Sequence, residues 1–110
     1  MHLKKVIIYI KKENGFNMIN DDYYKNGQKI QEMNGNILTY YFKSGKIKAE
    51  GNYENGQMDG EWKFYRETGQ LWQVGNFKNG KKNGSWVRYD KNDQIEYDEI
   101  FEDDKKLKKK

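Results

Sequence analysis

A chain of 110 residues is long enough for one domain and too short for a second core. Only 35% of it is hydrophobic yet 15% is aromatic, with nine Tyr, five Phe and three Trp, so rings are its packing units and the aromatic-poor composition of a disordered chain is excluded. The formal charge of +4 resides in the five lysines Lys105, Lys106, Lys108, Lys109 and Lys110, without which the remainder stands at −1; no basic face for tracking nucleic acid is expected.

At the N-terminus, Lys4 and Lys5 precede the apolar run Val6 to Ile10. Five residues fall short of the roughly 7 to 15 of a signal-peptide core and of the roughly 20 of a membrane span. The run is therefore predicted as part of a strand, Leu3 to Lys12, followed by a turn at Asn14-Gly15 and one or two further strands. Tyr24-Lys25-Asn26-Gly27 echoes Phe77-Lys78-Asn79-Gly80 and predicts a degenerate repeat.

From Asn36 onward the chain repeats every 24 residues: Trp62 falls on Trp86, Tyr65 on Tyr89, Leu71 on Ile95 and Phe77 on Phe101. One step upstream, Leu38, Tyr41, Gly45, Ile47, Gly51, Tyr53 and Gly56 take the places of Trp62, Tyr65, Gly69, Leu71, Gly75, Phe77 and Gly80. Each copy reads as a short aromatic strand, a turn containing Gly, a second strand and an Asn-Gly turn, which is the grammar of a β-hairpin. Trp62 and Tyr65, three residues apart, break strict alternation and should face opposite sides of the sheet unless a bulge intervenes. The last copy carries Asp93 and Asp104 where Gly69 and Gly80 stand, as a capping repeat would.

The predicted organisation is a single β-repeat domain over residues 1–107, with irregular strands over 1–35, three repeats over 36–107, and a disordered lysine tail over 108–110.

The run Gly60-Glu-Trp-Lys-Phe-Tyr-Arg-Glu-Thr-Gly-Gln-Leu followed by Gly75-Asn-Phe-Lys-Asn-Gly-Lys resembles the variant MORN repeat of bacterial proteins of the YwqK-type antitoxin family. The resemblance covers Asn36 to Leu107. It implies an all-β, elongated, single-layer antiparallel sheet of stacked hairpins, and an interaction role without catalysis.

The residues themselves offer little for chemistry. There is no Cys, which removes thiol nucleophiles, disulfides and thiolate metal sites and leans towards a cytoplasmic location, and the one His stands at position 2. The acidic pairs Asp21-Asp22 and Asp103-Asp104 read as solvated turn carboxylates, since neighbours on a strand point to opposite faces. The glycines recur at hairpin spacing and form no phosphate loop. No catalytic, cofactor or metal site is expected.

Rings are the candidate contact residues. Trp62, Trp86, Tyr41, Tyr65 and Tyr89 hold repeat-equivalent positions and by default stack between hairpins. Trp72 differs, because Lys48 and Glu96 stand at its place in the neighbouring copies; a ring that the repeat does not demand is expected on the surface, where Trp is enriched at interface centres. Phe64, whose counterparts are Tyr40 and Arg88, follows it. The function expected is that of a protein-binding module, an antitoxin or immunity-like protein covering a partner such as a cognate toxin. The alternative is an adaptor on a lipid surface, held by the lysine tail.

Overall fold

The computed structural model describes residues 23–107. They form one open sheet of eight strands, β1 (Gln31–Asn34), β2 (Ile37–Tyr41), β3 (Ile47–Glu54), β4 (Gln57–Tyr65), β5 (Leu71–Lys78), β6 (Lys81–Tyr89), β7 (Ile95–Glu102) and β8 (Lys105–Lys106). Every strand pairs antiparallel with the next in sequence, so the sheet is a meander of consecutive hairpins. No helix occurs among the described residues, and the molecule extends over 48 × 30 × 21 Å. The expected all-β sheet of stacked hairpins is the fold observed. The strand expected over Leu3 to Lys12, the Asn14-Gly15 turn and the tail at 108–110 lie outside the described residues.

Two kinds of loop alternate along the two long edges. On one edge the loops have two residues, and Asn55 (φ 51°) with Gly56 (φ 76°), or Asn79 (φ 54°) with Gly80 (φ 80°), supply the two positive φ angles that a tight hairpin loop needs. The last such loop keeps this geometry without glycine: Asp103 (φ 49°) and Asp104 (φ 72°) join β7 to β8. Asp104 is held there by its neighbours, since its Oδ1 accepts from the Lys82 N–H at 2.8 Å and its own N–H donates to the Lys82 carbonyl at 2.9 Å.

On the other edge the loops are longer and share one hydrogen-bond signature. Phe42 N–H donates to the Lys46 carbonyl and Gly45 N–H to the Phe42 carbonyl; Arg66, Gln70 and Gly69 repeat the pattern, as do Asp90, Gln94 and Asp93. Tyr24, Gln28 and Gly27 make the same two bonds. The resemblance of Tyr24–Gly27 to Phe77–Gly80 is thereby corrected: this segment belongs to the longer loops. An Asn-Gly pair tolerates positive φ in either kind, and the bond pattern distinguishes them.

These longer loops are tied into a row by side chains reaching the next loop or the strand before it. Tyr24 Oη donates to the Tyr41 carbonyl at 2.8 Å, Asn26 to the Lys43 carbonyl at 3.1 Å, Arg66 to the Tyr89 carbonyl at 2.9 Å and Gln70 to the Lys91 carbonyl at 2.7 Å.

Register explains the composition of the two faces. Leu38, Gly51, Trp62, Gly75, Trp86 and Glu99 form one continuous cross-strand row. Strands lie about 4.8 Å apart, too close for indoles to stand side by side, so large residues alternate with glycine. A Cβ on Gly51 would come within 2.4 Å of the Trp62 ring, and one on Gly75 within 2.3 Å of Trp86. Each indole N–H donates to a backbone carbonyl beside its glycine, Asn52 for Trp62 and Asn76 for Trp86, both at 2.8 Å. The opposite face carries the row Glu32, Thr39, Glu50, Lys63, Val74, Val87 and Asp98.

The bulge that the Trp62–Tyr65 spacing left open is present. Register shifts fall at the equivalent place in each copy, between Tyr40 and Tyr41, Phe64 and Tyr65, and Arg88 and Tyr89, and two more follow Gly51 and Gly75. The core that results is small and ring-built, with Leu38, Tyr40, Ala49, Tyr53, Met58 and Trp62 buried and Phe64 and Phe77 packed against them. Full burial of a side chain the size of Trp62 contributes about 2 to 3 kcal/mol.

Candidate functional site

The row next to the tryptophans is Gln31, Tyr40, Ala49, Phe64, Gln73, Arg88 and Tyr97. Its rings and the tryptophans join into a chain across the sheet. Tyr40 meets Trp62 with centroids 6.3 Å apart, Trp62 meets Phe64 at 6.3 Å, and Phe64 meets Trp86 at 6.0 Å. Phe77 stands edge-on to both indoles, at 6.3 Å from Trp62 and 5.2 Å from Trp86. Edge-to-face contacts of this kind fix ring orientation as well as contributing burial.

Above this layer the face is hollowed into a groove of about 410 Å³. Tyr24, Tyr40, Phe42, Phe64, Trp72 and Phe77 are among its rings, Ile30 and Met58 its aliphatic walls, and Lys48 its single charged side chain. The loop row positions Tyr24 and Phe42, because both open a longer loop. The bulges position Lys48 and Trp72: in the β2–β3 pairing Tyr40 faces Ala49 and Tyr41 faces Ile47, so Lys48 is the extra residue, and in the β4–β5 pairing Trp72 is extra in the same way. A bulged residue is re-aimed relative to its strand. Trp72 accordingly turns into the groove, half-buried, where the sequence had it on the open surface.

The groove ends where the repeat changes chemistry. Lys82 stands 24 residues after Met58, and Arg88 stands 24 after Phe64. Arg88 lies between two rings, 4.8 Å from Trp72 and 4.5 Å from Tyr97, with two guanidinium nitrogens on Gln73 Oε1. Lys82 lies between Trp86 at 4.6 Å and Phe101 at 4.5 Å. Two cations thus hold the positions of Met58 and Phe64 upstream, and the space narrows there to about 120 Å³.

Of the rings singled out in the sequence, the structure brings Tyr41, Phe64, Tyr65 and Trp72 to the groove. Trp62 is 0% exposed and Trp86 6%, so as contact candidates they are corrected: both are the packed layer beneath the surface, their default reading. Tyr89 is absent from the groove wall, and its carbonyl serves the loop row. Tyr24, Tyr40, Phe42 and Phe77 were missed; aligning the longer loops with one another would have found Tyr24 and Phe42.

Glu32, in the row of the opposite face, has a structural partner. Tyr41 Oη donates to Glu32 at 2.8 Å, which holds the Glu32 carboxyl below its ordinary range and pushes the Tyr41 phenol up. Burial pushes the Tyr53 phenol up. Among the described residues, no three His, Cys, Asp or Glu side chains gather as a metal site.

Residues 35–55 and 58–79 each match the MORN repeat variant. No curated protein and no solved structure matches the chain. Each matched stretch runs between two-residue loops, β2 with β3 and β4 with β5, whereas the charged pair β6–β7 lies outside both. The two hairpins that wall most of the groove are therefore the stretches that match the MORN repeat variant.

Proposed function

We propose that this chain is a non-enzymatic repeat module that binds a partner protein by seating its apolar side chains in the aromatic groove. The observation that carries the reading is the groove itself: rings held rigidly by an indole–glycine layer, with one charged residue in the wall and a polar, loop-lined rim. Rigid aromatics in a concave site with a polar rim are what an interface centre requires. The MORN repeat match supports a binding role in general terms. The finer form, an antitoxin or immunity-like protein that neutralises a cognate toxin in the cytoplasm, rests on the resemblance to the YwqK type.

Photo-crosslinking from the two faces tests it. A benzophenone amino acid replacing Trp72 in cells of the source should capture one protein, identified by mass spectrometry, that the same group at Lys63 on the opposite face does not. Purified partner should then bind wild type and lose at least tenfold in affinity for Trp72→Ala. Equal capture from both faces would remove the groove as the site, and retention on anionic vesicles alone would favour the lipid-surface adaptor.

A further inference from the structure

The groove face is cationic wherever it is charged. Among the described residues, the groove wall holds Lys48 and no acid. The adjoining cavity of about 120 Å³ is lined by Lys82, Arg88 and Glu99, and Glu99 is already held by Lys106 at 3.4 Å. No carboxylate among the described residues lies within ion-pair distance of Lys48, Lys82 or Arg88. We propose that this face takes an acidic, apolar protein segment, whose apolar side chains enter the aromatic groove while a neighbouring carboxylate binds between Arg88 and Lys82. The inference rests on the groove being a docking surface, and adds the chemistry of what docks.

Hydrogen-bonding capacity favours a carboxylate at that end. Arg88 donates from Nε and Nη2 to Gln73 Oε1 and lies between Trp72 and Tyr97, which pins the guanidinium in one orientation. Its Nη1 has no acceptor among the described residues, and neither has the Lys82 ammonium, set between Trp86 and Phe101. A guanidinium already pinned by stacking loses little side-chain freedom when it takes an anion. Cations walled by rings are also screened less by salt than cations standing in open solvent.

Geometry sets the spacing. Phe64 and Arg88 occupy one cross-strand row with Gln73 between them, so two strand steps separate them, about 10 Å at the usual strand spacing. An extended segment advances about 3.3 Å per residue, which places its acid roughly two to four residues from its apolar anchor. A side chain can follow the face into its hollow, whereas the plane of a membrane cannot, and this favours a protein segment over a lipid headgroup as the source of the anion.

Selection from a display library of random twelve-residue peptides on the full chain tests the proposal. Recovered peptides should carry Asp or Glu two to four residues from Leu, Ile, Phe or Trp, and should lose at least tenfold in affinity on Trp72→Ala. Replacing that acid by its amide should weaken binding to wild type about tenfold, and should cost nothing further in the double variant Lys82→Gln and Arg88→Gln. Binding to wild type should also weaken as salt rises, an arm that needs no variant and that a folding defect cannot decide. Peptides that need Trp72 but no acid would overturn the acidic partner and leave the groove standing as the docking site. Acidic peptides that need Lys82 and Arg88 but not Trp72 would do the reverse, keeping the cationic end and removing the groove. Retention on vesicles of phosphatidylserine and phosphatidylcholine, with no peptide recovered, would make a lipid headgroup the anion and overturn the proposal, as would a library that yields no binder.

Discussion

Trp62 lies over Gly51 so closely that a single added methyl would come within 2.4 Å of its ring, and Trp86 lies over Gly75 in the same way. The repeat is thus a rule about volume: a strand that brings an indole faces one that brings none. Gly51→Ala and Gly75→Ala are each expected to destabilise the sheet by about 3 kcal/mol, the upper end for overpacking a filled site. Adding Trp62→Leu to Gly51→Ala should cost less than the sum of the two single changes, because Leu38 shows that leucine fits this row. Urea midpoints of the three variants decide it, and strict additivity would refute the packing argument.

Glycine in the longer loops serves backbone conformation instead. Gly69 has φ 101° with nothing within 4 Å of a Cβ, so Gly69→Ala should cost about 1 to 2 kcal/mol through conformation alone. Asp93, its counterpart, stands at φ 65°, close to the left-handed region that Asp tolerates. Asp93→Gly is therefore expected to stabilise by about 0.5 kcal/mol, a gain reduced by loss of the 2.9 Å bond from Gln70 to its carboxylate. Opposite signs in thermal melts of these two variants are the expected outcome.

How much of this was legible in the sequence follows from what repeats. The 24-residue period aligned the rings and the glycines and named the fold, but it read the glycines as turn residues, whereas Gly51 and Gly75 lie in mid-strand beneath Trp62 and Trp86. Three features were not legible. A bulge leaves no residue of fixed type, so the turning of Trp72 into the groove needed the register of β4 with β5. Loop class needed hydrogen bonds, which place Tyr24 with Phe42. The persistence of the Asp103-Asp104 loop depends on contacts with Lys82, two strands away in sequence order.

Tyr53 is 4% exposed and its hydroxyl is buried without a hydrogen-bond partner among the described residues. Such a group costs about 1 to 3 kcal/mol, so Tyr53→Phe should be neutral or stabilising. Burial also raises its folded pKa above 10.0. Folding then favours the neutral phenol, and its stabilising effect is complete below the ordinary phenol range and falls as pH rises through the folded value. Wild type is expected to lose stability above about pH 10, and Tyr53→Phe should lose less; identical alkaline profiles would exclude Tyr53 as a source.

The Glu32–Tyr41 pair works at the other end of the scale. The Tyr41 hydroxyl and Lys29 depress the Glu32 pKa below 4.5, so the carboxylate's contribution is present above that value and disappears as pH falls through the folded one. Tyr41→Phe removes the leading cause and should flatten the acid limb of the stability profile, while leaving Lys29, at 3.6 Å, as the remaining partner. A titration of Glu32 followed by carboxyl NMR should show its pKa move up towards the ordinary range in the variant.

Arg88 decides where the groove stops. Held between Trp72 and Tyr97 and bonded twice to Gln73, it occupies the register position that Phe64 and Tyr40 hold in the preceding copies. Cation–π contacts at partly exposed sites contribute about 0.5 to 1 kcal/mol each, so Arg88→Ala should cost about 1 to 2 kcal/mol and shift Trp72 emission to the red as the ring loses its cover. Arg88→Phe restores the upstream pattern and should keep the fold while extending the apolar groove into the third copy. The expected readout is more bound hydrophobic dye per chain than in wild type, with Trp72 still shielded. Unchanged dye capacity in a folded Arg88→Phe chain would mean that Lys82, between Trp86 and Phe101, closes the groove without Arg88.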